Sequence, residues 1–389
     1  VRLSNVSRNT IFPMNENNKI CVHIVTTLEL GGAQQNTLFT VANMSSFRGI
    51  LISGAEGITE AEGIEAYRIG ALVRKINPFK DIAAFFSLYS ILRKIKPRIV
   101  HTHSSKAGIL GRWAAFYAGV PVIIHTFHGF GFNDRQRACV RKAYILAEKM
   151  AAKISTALFA VSANNLEKAL ALGICPADKI SVLHSGIDMK SWEGRLSREE
   201  AKKNFGIARD VPVVGMVACF KAQKAPLDFI EVAARVKKLN PRAKFIMAGD
   251  GVLRGEIEKS IHRHRLGDDV ILAGWRTDME KVLPAFDVSV LTSLWEGLPR
   301  VSLEAGACLI PQVLSAVDGV SEIIEDGVTG YLVKPHDIDT FVARIDFLIK
   351  NPDQGRLMAH KLKKKLTGDF DIRAMVRLIE QKYGEILNG

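Results

Sequence analysis

Two glutamates, Glu296 and Glu304, stand eight residues apart in the run Trp295-Glu296-Gly297-Leu298-Pro299-Arg300-Val301-Ser302-Leu303-Glu304. The first falls in a Gly-Pro loop and the second inside the helix that Pro299 opens. A loop carboxylate can accept hydrogen bonds from sugar hydroxyls while the N–H groups of the turn meet phosphate. A glutamate just over one turn farther in can reach a ribose diol, a common device of nucleotide recognition. Spacing alone describes two surface glutamates around a capped helix equally well. A second constellation, Leu30-Gly31-Gly32-Ala33-Gln34, lies between a strand and a helix. Two glycines there let backbone approach a ligand, and the helix N-terminus offers free N–H groups to an anion. The G-x-G-x-x-G spacing is missing, so the run fits a tight turn as readily as a phosphate site. His128 precedes the loop Gly129-Phe130-Gly131-Phe132 just past a strand end, where catalytic groups collect. His101, His103 and His125 alternate with apolar strand residues and read as core or rim histidines. Lys106, near a helix start, either serves an acceptor phosphate or faces water. Asp337-Ile338-Asp339 and Asp369-Phe370-Asp371 mimic a metal-binding D-x-D, but both read as capped helix starts, and no metal is expected.

The elements that position these residues repeat along the whole chain. Short apolar runs alternate with helical patterns, the signature of parallel sheets flanked by helices. Strands are expected at 20–26, 49–53, 98–101, 122–125, 157–161 and 180–183, and again at 213–218, 244–248, 270–273, 288–291, 312–314 and 331–333. Asn77-Pro78 opens one helix, with Asn as cap and Pro at the first helical position. Others are expected at 106–117, 135–152, 226–239, 299–307, 338–350, 355–366 and 372–387. The pattern predicts two doubly wound α/β domains, 19–190 and 191–371, with 1–18 as a flexible leader. Ligands in such folds sit beyond the C-terminal strand ends, so the cleft between two facing units is the expected site.

At 389 residues and 48% hydrophobic content, two domains are the natural division. No apolar run reaches bilayer length, and the polar start carries no signal-peptide stretch, which argues against secretion. The five scattered cysteines show no metal or redox spacing and fit a reducing cytoplasm. Residues 1–190 hold 23 Lys+Arg against 12 Asp+Glu, whereas residues 191–389 hold 30 against 28. A basic first half attracts polyanions, among them an anionic membrane surface or a phosphorylated acceptor. No nucleic-acid-binding signature appears, so nucleic acid is not an expected partner.

The glutamate segment resembles the E-x7-E motif of retaining glycosyltransferases of the GT-B fold, specifically glycosyltransferase family 4. Gly31-Gly32-Ala33-Gln34 is similar to the family's N-terminal glycine loop. The segments 101–108 and 125–132 are similar to those of its polysaccharide-assembly members. Gly249-Asp250-Gly251, Gly274-Trp275-Arg276-Thr277-Asp278 and Asp326-Gly327-Val328-Thr329-Gly330 match further landmarks in order. The resemblance implies a GT-B fold of two facing Rossmann-like domains, with residues 372–389 packing back on the first. It implies that Gly31 and Gly32 approach the donor diphosphate and that Lys224 neutralises its charge as the leaving group departs. Glu296 would hold the donor sugar and Glu304 the ribose, Trp275 and Arg276 would flank the base, and Gly251, Gly297 and Leu298 would also contact the donor. His128 would orient hydroxyls at the reacting centre, and His103, Lys106 and Phe130 are candidates for touching the acceptor.

The chain also departs from the family pattern. Ala218-Cys219 stands where Gly-Arg is common, with Lys221 as the expected replacement cation; Leu309 takes a glycine position; Asp318-Gly319 replaces Gly-Gly. The resemblance implies a metal-independent, retaining transfer from a nucleotide diphosphate sugar, expected to be a UDP-sugar, with no other cofactor. The expected acceptor is a glycan or a polyprenyl-diphosphate-linked sugar, used in cell-surface polysaccharide assembly by a cytoplasmic enzyme that can lie on the inner face of the plasma membrane. The alternatives are a nucleotide-sugar epimerase or hydrolase on the same fold, and a non-catalytic nucleotide-sugar-binding subunit.

Overall fold

The computed structural model describes residues 19–29, 31–57, 63–132 and 136–388, so the leader, Leu30 and Arg135 lie outside the described residues. The chain divides into two compact units: Ile187–Asp371 forms one, and the chain before it, together with the segment from Ile372, forms the other.

The first unit is built on seven parallel strands, β1 (Ile20–Val25), β2 (Arg48–Gly54), β3 (Glu65–Ile69), β4 (Ile99–His103), β5 (Val122–Phe127), β6 (Ala157–Ala160) and β7 (Ile180–Val182). Their order is β3-β2-β1-β4-β5-β6-β7. β1, β4 and β5 are buried along their whole length, as strands covered on both faces must be. Alternation then sorts their side chains. Val22, Ile24, Val100 and Ile123 pack towards helices Pro78–Ile95 and Ser105–Ala118. Cys21, Ile99 and Ile124 pack towards Met375, Val376, Ile379 and Tyr383 of helix Ile372–Asn388. β3 was not among the expected strands. Its sequence, Glu-Ala-Tyr-Arg-Ile, lies at the sheet edge with only Ile69 buried, so it carries no apolar run to announce it.

The second unit holds six parallel strands, β8 (Val213–Val217), β9 (Lys244–Ala248), β10 (Val270–Gly274), β11 (Val288–Leu291), β12 (Gln312–Ser315) and β13 (Tyr331–Val333). Their order is β10-β9-β8-β11-β12-β13. In each sheet the order reverses beside the unit's first strand, between β1 and β4 and between β8 and β11. The loops leaving those strands are the ones that reach ligands in doubly wound folds.

Local chemistry explains the helix ends. The Asn77 side chain accepts from Lys80 N at 3.1 Å, and Pro78 follows as expected. Asp337 caps helix Ile338–Lys350 by accepting from Thr340 N at 3.1 Å. Asp369, by contrast, closes helix Pro352–Asp369 rather than opening one, because the helical segment runs past the expected end at 366.

Candidate functional site

In the second unit, the loop after β8 and the loop after β11 meet at the strand-order reversal. Lys224 ends a 3-10 turn, Ala222–Lys224, and Ala225 takes the left-handed conformation (φ 41°) that turns the chain into helix Pro226–Leu239. The Thr292 hydroxyl ties this corner to the end of β11 through the carbonyls of Lys224 (3.0 Å) and Ala225 (2.9 Å). Gln223 bonds to Trp295 O (2.8 Å) and accepts through its own carbonyl from Leu294 N (2.8 Å). The result is an ion pair between Lys224 and Glu296, with Ser293 Oγ donating to the same carboxylate oxygen at 2.5 Å. Glu296 is only 7% exposed. A lysine and a carboxylate held this close to one another supply an anion-stabilising charge and a hydroxyl acceptor side by side.

Glu304 sits inside helix Arg300–Ala307 and pairs with Arg300 at 3.0 Å. Burial raises its pKa from the usual carboxylate value, and the Arg300 guanidinium pulls part of that back. Gly297 and Leu298 form the short link between the two glutamates, and both are buried. Asp318 occupies the left-handed region at φ 39°, and Leu309 does so at φ 59°; these are two of the positions where glycine was expected. Asp318 uses the departure: its carboxylate accepts from Glu296 N at 2.7 Å.

The remaining candidates of this unit surround the same strand ends. Gly251 follows β9 at φ 157°, and a Cβ there would lie 2.6 Å from Phe220 O, so the glycine is required where two loops cross. Trp275 follows β10 and is 44% exposed, while Arg276 grips Asp278 with two bonds of 2.7 Å. Lys221 caps the turn that carries Lys224.

In the first unit, Gly31 is the N-cap of helix Gly32–Asn43, which has no side-chain cap and no acidic residue in its first turn. Its first N–H groups therefore have no intrahelical partners. Across the strand-order reversal, β4 and β5 deliver four histidines and β1 a fifth. His128 Nε2 bonds to His103 Nδ1 at 3.0 Å, and His103 Nε2 bonds to His23 Nδ1 at 3.0 Å. His101 lies between Tyr383 OH and Thr126 Oγ1, the latter at 2.7 Å. His125 faces the other side of the sheet, where its Nδ1 meets Thr102 Oγ1 at 2.9 Å. Gly108 makes room for that ring, since a Cβ would lie 2.5 Å from its Cε1. Burial holds every one of these imidazoles below the ordinary histidine value, His23 at about 3 and His128 at about 4. His128 as a residue is only partly buried, yet the surrounding protein still depresses it. Among the described residues, one group offers metal-ligating atoms within 4.8 Å of one another: His23, His101 and His103. Those atoms are already engaged with each other, with Tyr383 and with Thr126.

Three acceptor candidates separate. His103 belongs to the histidine chain. Lys106 pairs with Asp81 and donates to Lys75 O at 2.6 Å, so its charge is spent within the fold. Phe130 packs in the small core with Phe127 and Phe132. Phe132 is 2% exposed, because the Gly-Phe-Gly-Phe loop folds its rings inward. Tyr383 and Ser293 were missed: one lies 282 residues from its partner, and the other is a lone serine beside a conspicuous motif.

Residues 50–191 match the family described as Glycosyltransferase Family 4, and residues 197–366 match Glycosyl transferases group 1. Over 330 residues the chain is 35% identical to the Escherichia coli UDP-Gal:alpha-D-GlcNAc-diphosphoundecaprenol alpha-1,3-galactosyltransferase, covering 83% of this chain and 84% of that protein. It is 24% identical over 342 residues to the Staphylococcus aureus capsular polysaccharide biosynthesis glycosyltransferase CapM, covering 85% and 90%. Anabaena HepE, solved with UDP and glucose, superimposes with a TM-score of 0.82 at 19% identity, covering 94% of this chain and 99% of that one.

Proposed function

Because this chain belongs to the GT-B glycosyltransferases of family 4, we propose that it transfers a sugar, with retention, from a UDP-sugar to a polyprenyl-diphosphate-linked sugar during cell-surface polysaccharide assembly. The observation that carries the reading is the Lys224–Glu296 pair at the strand-order reversal of the second sheet. The Escherichia coli relative, named for a UDP-galactose donor and a diphosphoundecaprenol-linked acceptor, supports both substrate classes.

In this reading the leaving UDP develops negative charge as the glycosidic bond breaks. Lys224 meets that charge as a compact cation. This lets the bond break without help from a metal ion. Glu296 accepts from the donor sugar's hydroxyls, and Glu304 from the ribose. Trp275 and Arg276 flank the base. His128, neutral across the physiological range, orients a hydroxyl rather than carrying a charge. No protein carboxylate is assigned as nucleophile; the acceptor's proton passes to a donor phosphate oxygen on the face from which the leaving group departs.

No helix of the described residues is long and apolar enough to cross a membrane. One exposed apolar helix face supports a place on a membrane surface. Phe79, Ile82 and Phe86 project from one face of helix Pro78–Ile95 and are 87%, 58% and 61% exposed. Arg93 continues that face and Lys94 lies beside it, and the helix's one acidic side chain, Asp81, is taken up by Lys106. Aromatic rings flanked by cations suit an anionic lipid surface, which supports a cytoplasmic enzyme working on the inner face of the plasma membrane.

The test is incubation with labelled UDP-galactose and a short-chain GlcNAc-diphosphate lipid, with and without EDTA. A disaccharide lipid with an α linkage, formed equally in both, is expected. Donor breakdown or isomerisation without transfer would move the assignment to an epimerase or hydrolase.

A further inference from the structure

The polar groups on one face of the first sheet form a single hydrogen-bonded chain. Thr126 Oγ1 meets His101 Nε2 (2.7 Å), and His101 Nδ1 meets Tyr383 OH (2.5 Å). Tyr383 OH meets His23 Nε2 (3.5 Å), His23 Nδ1 meets His103 Nε2 (3.0 Å), and His103 Nδ1 meets His128 Nε2 (3.0 Å). Every member except His128 is buried, and His128 Nδ1 carries no bond to the protein among the described residues. Parallel register explains the assembly: His23 pairs with His101 across β1 and β4, and His103 pairs with Thr126 across β4 and β5. Tyr383 enters from helix Ile372–Asn388. One turn earlier, Glu380 anchors that helix by accepting from Ser45 N (2.8 Å), Ser46 N (2.6 Å) and Ser45 Oγ (2.9 Å).

A neutral imidazole has one donor nitrogen and one acceptor nitrogen. In a chain of such rings, the direction of one link dictates the direction of the next. Burial keeps all four rings neutral, so direction can change only at the Tyr383 hydroxyl, which also bonds the Cys21 thiol. A phenol O–H is a stronger donor than an imidazole N–H, and its nearer partner by a full ångström is His101. The hydroxyl hydrogen therefore points to His101, which sends its own Nε2–H to Thr126. On the other side, His23 Nε2–H points to the tyrosine oxygen, His103 Nε2–H to His23, and His128 Nε2–H to His103.

We propose that Tyr383 is a positioning residue that sets the tautomer of His128 through this chain, so that His128 presents a bare Nδ1 to accept a hydrogen bond from a substrate hydroxyl. The role in catalysis rests on the glycosyltransferase reading above; the tautomer does not. It also gives the return of helix Ile372–Asn388 to the first unit a chemical purpose beyond packing.

The experiment uses the full chain labelled with 15N-histidine, with ring nitrogens read by NMR and His128 identified by its loss in His128→Gln. In the unaltered protein, His128 Nδ1 is expected to be unprotonated and Nε2 protonated. Tyr383→Phe keeps the ring and deletes the pivot, so His128 is expected to become a tautomer mixture. Turnover should then fall about tenfold, the weight of one hydrogen bond, with donor KM unchanged. A His128 signal in Tyr383→Phe identical to that of the unaltered protein overturns the proposal. A stoichiometric transition metal on the purified protein, seated on His23, His101 and His103, overturns it too. If Tyr383→Phe does not fold, Thr126→Val decides. Losing its acceptor, His101 swaps its proton to Nδ1, and with Cys21→Ala added to remove the phenol's other partner every link inverts and His128 becomes the Nδ1–H form; an unchanged His128 in that double variant overturns the proposal.

Discussion

The backbone N–H of Glu296 donates to the carboxylate of Asp318 across 2.7 Å, and Asp318 makes this contact from a left-handed backbone conformation, φ 39°. A residue standing where the family pattern has glycine thus holds the loop of the first glutamate. Aspartate tolerates this region better than most side chains. Asp318→Gly should relieve the backbone while losing the hydrogen bond, worth about 1 kcal/mol. The melting temperature should change little, while donor KM rises roughly fivefold. Asp318→Asn, which keeps an acceptor oxygen, should lie close to the unaltered protein. Steady-state kinetics on both variants checks this.

Removing Lys224 leaves the Glu296 carboxylate nearly buried with Ser293 as its remaining side-chain partner among the described residues. The pair is not fully sealed, since the Lys224 side chain is 16% exposed. Lys224→Ala should therefore destabilise the fold by about 2 kcal/mol, less than the 3–5 kcal/mol of a fully buried pair. Turnover should fall by about 10²–10³ if the lysine meets the leaving diphosphate. Glu296→Gln added to Lys224→Ala should restore stability without restoring turnover. Denaturant unfolding alongside activity separates the two effects.

The buried histidines make stability depend on pH with a definite sign. His23 at about 3 and His128 at about 4 lie below the unfolded value of 6.5, and His101, His103 and His125 are also lowered. Above pH 6.5 they are neutral in both states and contribute no slope. As pH falls below 6.5, the unfolded chain takes up protons that the native state refuses, so stability is lost progressively towards pH 4. Thermal melts from pH 8 to pH 4 should show this decline. His128→Gln should make it shallower, and an unchanged slope would remove His128 from the account.

The apolar face of helix Pro78–Ile95 should bind lipid. Full-length protein is expected to sediment with vesicles containing anionic phospholipid and to remain free with wholly zwitterionic ones. Phe79→Ser with Phe86→Ser should abolish sedimentation while leaving transfer to a short-chain, water-soluble acceptor intact, because both side chains are solvent-exposed. Concentration-dependent dimerisation lost in the same variant would make the face a self-association surface instead.

The doubly wound architecture was legible because buried parallel strands write continuous apolar runs, and the E-x7-E spacing marked the loop after β11. β3 escaped because an exposed edge strand needs no such run. The sequence also could not say how Lys106 is spent, since its partners Asp81 and Lys75 lie on a separate element. His101 was rightly read as a core histidine, but its place in a chain ending at His128 depends on Tyr383, far along the sequence. Contacts of that separation leave no local periodicity. Asp318 and Leu309 read as losses of glycine; only the backbone angles and the Glu296 contact show that one of them has acquired a use.

Helix Ile372–Asn388 completes the first unit, although the whole second unit precedes it in the chain. During synthesis, the part of this face that Met375, Val376 and Ile379 cover waits for them, with Phe39, Met44 and Phe47 packed beside it. At about 5–20 residues per second, the intervening second unit takes roughly 10 to 40 s to make. For that interval the nascent protein leaves part of an apolar sheet face open, making it a natural client for ribosome-associated chaperones, while the second unit is free to fold on its own.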